Sequence, residues 1–142
     1  MPISVNSYLK YYPSFLLSDL SLTLDSYKQG TNMGVSIYYS ATKKTPFNIE
    51  EKNTFETMVN QLNQAFPYKE DAETLYFYEE PSDQFLLQGS TKLPLDDESI
   101  LLESIDYWLD CLSQLTLAFS TAQWSVSIED SEATWVDDHW EM

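Results

Sequence analysis

The sequence predicts an α+β protein: an antiparallel sheet built from hairpins, with two amphipathic helices packed on one face. Three observations lead there. Short segments alternate apolar and polar residues with the strand period, two longer segments repeat apolar residues at the helical period, and the two kinds follow one another as strand pair, helix, strand pair, helix, strand pair. The chain of 142 residues, 43% hydrophobic and 15% aromatic, has the length of one domain and enough apolar mass to fold, so residues 1–142 are read as a single acidic domain.

Taken in order, residues 5–12 are compatible with a short helix that Pro13 would interrupt. Residues 20–26 and 33–40 each alternate as strands do, and Lys28-Gln29-Gly30-Thr31-Asn32 between them reads as a hairpin loop. The first helix is expected over residues 48–66. Asn48 is a suitable N-cap, Glu51 three residues on completes a capping box, and Phe55, Met58, Val59, Leu62 and Phe66 recur at helical spacing before Pro67. Residues 74–79 and 84–88 read as a second hairpin around the turn residues Glu80-Pro81-Ser82-Asp83.

The second helix is expected over residues 97–119, capped by Asp96 or Asp97. Its apolar stripe is Leu101, Ile105, Trp108, Leu112, Leu115 and Phe119, widened by Leu102 and Leu109. Residues 123–128, with Trp124, Val126 and Ile128 on one face, and residues 134–140 are expected to form a last strand pair.

Charge is the most informative property. The chain carries 23 Asp and Glu against seven lysines and no arginine, a formal net charge of −16. Residues 1–69 hold five acids and six lysines, a net +1, whereas residues 70–142 hold 18 acids against Lys92 alone, a net −17. A general bias toward solubility explains a negative protein but not a neutral half beside an anionic one. Such a field repels nucleic acid and anionic membranes and speeds association with a positively charged protein.

Several classes are disfavoured. Three glycines cannot supply a phosphate-cradling loop. No run approaches the roughly 18 apolar residues of a membrane span, residues 1–10 lack a signal-like basic and apolar pattern, and one cysteine allows no internal disulfide; a cytoplasmic protein is expected. Ten tyrosines, among them Tyr38, Tyr39, Tyr76 and Tyr78 in strands, could stack bases, but the charge opposes direct nucleic-acid binding. Cys111 lies beside the apolar stripe and reads as a buried inert thiol. His139 beside Asp137 and Asp138 is a weak metal arrangement, and with 18 acids clustered, carboxylate pairs carry no catalytic information. No catalytic residue, metal or cofactor is expected.

Two acidic groups are the candidate partner-binding residues. Glu103, Asp106 and Asp110 fall at spacings of three and four on the second helix, away from its stripe, with no lysine interspersed. Glu129, Asp130, Glu132, Asp137 and Asp138 surround Trp135 and Trp140, and large rings beside carboxylates suit contact with a basic protein, the rings as anchors and the acids steering. Trp124 is expected in the core. The leading expectation is therefore a non-enzymatic acidic protein of immunity or antitoxin type, or a DNA-mimic inhibitor, that covers the cationic surface of a toxin or nuclease. Its oligomeric state is left open.

Residues 84–117, a strand running through Leu93-Pro94-Leu95-Asp96-Asp97 into a long amphipathic helix, resemble the C-terminal part of class I type III secretion chaperones, and size, acidity and α+β order are similar too. The resemblance covers about a quarter of the chain and implies a dimer that escorts an unfolded effector segment. Two features depart from that pattern: residues 41–47 leave no room for a third strand before the first helix, and the chain continues well past the second.

Overall fold

The computed structural model describes residues 34–142. Its elements run β1 (Ser36–Thr42), α1 (Ile49–Gln64), β2 (Leu87–Lys92), α2 (Glu98–Ala118), β3 (Gln123–Ile128), β4 (Ser131–Glu132), β5 (Thr134–Val136) and β6 (His139–Glu141). The class is α+β, as the sequence predicts. The first four named strands in the order β2-β1-β3-β4 make one antiparallel sheet, and β5 and β6 make a separate two-stranded ribbon.

β1 is the centre of the sheet. Its alternation sends Ile37, Tyr39 and Ala41 into the core and leaves Tyr38 exposed on the other face. It pairs with β2 on one edge (Tyr39 opposite Gly89) and with β3 on the other (Tyr39 opposite Val126). Both edges are therefore taken. The hairpin expected between residues 20–26 and 33–40 is corrected for Ser36–Thr42, because its partners come from far along the sequence. Residues 20–26, the loop after them and the helix considered at 5–12 lie outside the described residues.

α1 begins as its sequence requires. The Asn48 side chain accepts the Glu51 N–H at 2.8 Å and the Glu51 carboxylate accepts the Asn48 N–H at 3.1 Å. Phe55 and Val59 are buried, with Met58 and Leu62 packed at the margin. For α2 the N-cap is Asp97, whose carboxylate accepts the Ile100 N–H at 3.1 Å. The expected stripe of α2 is buried in one cluster with Ile37, Tyr39, Val126 and Ile128 from the sheet and Phe55 from α1. Phe55 meets Phe77 and Phe119 edge-on at 4.8 and 5.6 Å, which ties the two helices to the same face.

The second strand pair is shorter and shifted. Residues 75–79 meet β2 around one bridge, Phe77 to Gly89, flanked by Tyr78 N–H to Gln88 C=O at 2.8 Å and Ser90 N–H to Tyr76 C=O at 3.1 Å. The strand predicted at 84–88 is observed as Leu87–Lys92. Pairing with β1 fixes that register, and a turn from Ser82 to Phe85 uses up the residues before it. The buried Tyr39 hydroxyl holds the crossing: it accepts the Tyr76 N–H at 2.8 Å and lies 2.8 Å from Thr91 Oγ1, which in turn donates to Thr74 C=O at 3.0 Å.

The C-terminus also differs. Residues 134–140 are not one strand paired with β3. They form their own ribbon, β5 to β6, while β3 turns at Glu129-Asp130 into the two-residue β4. The cause is local. Asp137 and Asp138 adopt φ of 50° and 63°, the positive values that a tight type I′ turn needs at both central positions and that Asp tolerates better than most residues.

Gly89 tests the crossing at residues 75–79. A Cβ there would lie 2.1 Å from the Tyr76 carbonyl oxygen and 2.5 Å from the Tyr39 ring. Gly89→Ala is expected to lower stability by about 1–3 kcal/mol, read as a lower urea midpoint at unchanged slope. A midpoint equal to that of the unaltered protein would contradict this packing.

Candidate functional site

α2 is buried on more than its apolar stripe. Leu102, Asp106, Leu109, Ser113 and Thr116 follow one another at helical spacing down a second flank, and the β5–β6 ribbon lies against its C-terminal part. The Trp140 backbone N–H donates to Ser113 Oγ at 2.9 Å and its indole N–H to Thr116 Oγ1 at 2.9 Å. Ser113 and Thr116 themselves donate to the carbonyls of Leu109 and Leu112 at 2.7 Å, so each hydroxyl links the helix backbone to the ribbon. The Trp135 ring stands edge-on to Trp140 at 5.2 Å.

This packing separates the predicted site residues. Trp140 is only 6% exposed and serves as the anchor of the ribbon, which corrects its assignment to a partner-facing surface. Trp135, 36% exposed, lies above it and remains accessible. Trp124 is half-buried against the core, with its indole N–H donating to the Phe119 carbonyl at 3.1 Å. Asp130, Glu132, Asp137 and Asp138 are exposed on the two C-terminal turns and the strands beside them. Glu129 is half-buried: its carboxylate accepts the Ser36 N–H at 2.7 Å and its own N–H donates to the Ser36 carbonyl at 3.1 Å, tying the β3–β4 turn to the start of β1.

The solvated acidic stripe expected on α2 is not found. Glu103 is half-buried and accepts the Tyr68 hydroxyl. Asp110 is exposed, 3.1 Å from the Gln114 amide and 3.7 Å from His139 Nε2, an ion pair longer than a normal hydrogen bond. Asp106 is 3% exposed, and its Oδ2 has no hydrogen-bond partner among the described residues. The ribbon covers the C-terminal part of the flank that the helical wheel assigns to solvent, at Ser113 and Thr116. The spacing of Asp106, Leu109, Ser113 and Thr116 carries the sign of a second contact face, masked in the sequence by the polar character of three of the four.

Electrostatics follow from this burial. Loss of water pushes the Asp106 carboxyl up to about 6, aided by nearby Asp110 and opposed by His139. Contact with Asp110 holds His139 above its ordinary value, and His139 holds Asp110 below its own. Cys111 is 1% exposed and burial pushes its thiol up to about 12, so at neutral pH it is a protonated core group, as the sequence suggests. Among the described residues, no three of His, Cys, Asp and Glu are placed to hold a metal ion, and no helix is long and apolar enough to cross a membrane.

Comparison with family models, with curated proteins and with solved structures finds no match to this chain.

A carboxyl that binds its proton more tightly when folded adds stability below its unfolded value and loses it as pH rises through the folded one. For Asp106 that window runs from about 4 to about 6, and the loss is on the order of 2 kcal/mol. Asp106→Asn is expected to raise stability by about 1–2 kcal/mol at neutral pH and to leave it nearly unchanged at the acid end of the window. Urea midpoints at the two pH values check this, and an equal effect at both would contradict a strained, ionised Asp106.

Proposed function

We propose that this chain is a non-enzymatic acidic binding protein of the cytoplasm. It neutralises a basic protein partner, as an immunity or antitoxin-type protein or a DNA-mimic inhibitor does for a toxin or nuclease, by covering the partner's cationic surface. One observation carries the reading. Among the described residues the single lysine–carboxylate bridge, Lys43 to Glu51 at 3.1 Å, belongs to the nearly neutral half of the chain, whereas Asp130, Glu132, Asp137 and Asp138 are exposed without a lysine partner.

Their placement adds support. A type I′ turn is built most cheaply from Asn-Gly, and here both positive-φ positions are aspartates. The turn therefore carries two charges on a ribbon that Trp140 fixes to α2. A fixed array of carboxylates attracts a basic surface from a distance and meets it without reorganisation, while the exposed Trp135 beside it supplies a ring for an apolar or cationic contact.

The test is affinity capture from the native cell lysate at low and at high salt, followed by association kinetics with the captured protein. A basic partner lost at high salt is expected. Combined replacement Asp130→Asn, Glu132→Gln, Asp137→Asn and Asp138→Asn keeps the turn geometry and removes four charges. It is expected to slow association about tenfold or more at low salt while changing dissociation little. An unchanged association rate, or a partner held equally at high salt, would contradict the reading.

A further inference from the structure

We propose that the groove between α1 and residues 75–79 captures an extended basic peptide segment of a partner protein as an added β-strand. The groove encloses about 660 Å³, within the range of ordinary ligand clefts. Phe55 and Val59 of α1 face Phe77 and Leu87 across its apolar floor, and Glu56 and Glu79 lie on its rims.

The edge of this groove is a strand whose outer side, among the described residues, is unused at Phe77. Residues 75–79 are pinned to the sheet through Tyr76 and Tyr78, whose backbone groups bond Tyr39, Ser90 and Gln88. Backbone direction alternates along an extended segment, so the N–H and C=O groups of Leu75, Phe77 and Glu79 point away from β2.

At Leu75 that outward pair is satisfied in an informative way. Its N–H donates to Asn63 Oδ1 at 2.9 Å and its carbonyl accepts from Asn63 Nδ2 at 3.0 Å. The Asn63 side-chain amide stands in for the backbone of a neighbouring strand, which exchanges both bonds with one residue. Two residues on, the N–H and C=O of Phe77 have no hydrogen-bond partner among the described residues. An incoming strand continues the line that Asn63 begins.

The chemistry of the occupant follows from the walls. Alternate side chains of the segment meet the apolar floor, and the intervening ones meet the rims, where Glu56 and Glu79 outnumber Lys52, so the segment alternates apolar and basic residues. The groove lies apart from Asp130, Glu132, Asp137 and Asp138. Peptide capture here stands whether or not those carboxylates meet a cationic partner.

The test uses the full chain and a blocked nonapeptide alternating valine and lysine, with amide hydrogen exchange followed by NMR. In the free protein the Phe77 amide is expected to exchange quickly and the Leu75 amide slowly. Saturating peptide should slow Phe77 about tenfold or more, and a fully N-methylated counterpart, which cannot donate to the edge, should bind about tenfold or more weakly. Asn60→Trp, at an exposed position on the α1 wall, should block the groove without disturbing the fold and weaken binding to a similar degree. No binding at about 1 mM peptide, equal binding of the N-methylated peptide, or protection confined to the β5–β6 ribbon would overturn the proposal. So would a Phe77 amide already protected in the free chain, which would mean that residues 1–33 or a second copy occupy the edge.

Discussion

Two-sided burial of α2 is the constraint on which the rest of the structure depends. Ile105, Trp108, Leu109, Leu112 and Leu115 are fully enclosed, which for side chains of this size removes about 1.5–3 kcal/mol of unfavourable hydration each. One flank of the helix completes the core against β1 and β3, and the other receives Trp140 of the terminal ribbon. The helix thereby sets where the acidic C-terminal segment lies. The same enclosure draws Asp106 out of water, and a carboxylate there opposes folding at neutral pH.

What was legible in the sequence is the set of elements governed by local chemistry. The capping box at Asn48 and Glu51, a cap at Asp96 or Asp97 (observed at Asp97), the α2 stripe and the alternation of residues 123–128 each depend on neighbours within a few positions, and each is present. What was not legible depends on partners distant in sequence. β1 is sandwiched between β2 and β3, partners that lie far along the sequence. Gly89 lies just past the strand expected at 84–88, and only the fold brings the Tyr76 carbonyl over it.

The candidate site shows the same division. That Asp130, Glu132, Asp137 and Asp138 are exposed follows from the composition, whereas the turn at Asp137 and Asp138 lies inside the strand expected over 134–140. The burial of Asp106 and Trp140 does not follow from composition, and for Trp140 it is decided by a ribbon folding back onto Ser113 and Thr116, 27 and 24 positions earlier. A helical wheel marks Asp106 as solvent-facing, since it counts only the stripe that meets the sheet. The ribbon that lifts Asp137 and Asp138 into solvent also carries His139, whose charge acts on the buried Asp106.

The docked ribbon is therefore the claim to test most directly, by native-state amide hydrogen exchange of the full chain. The Trp140 N–H, bonded to Ser113 Oγ, and the amides of buried α2 residues such as Leu109 and Leu112 are expected to exchange together, at the rate of global opening. A Trp140 amide that exchanges as fast as an unpaired terminal peptide while α2 stays protected would contradict the account. Asp137 and Asp138 would then sit on a frayed end, with no fixed position to offer a partner.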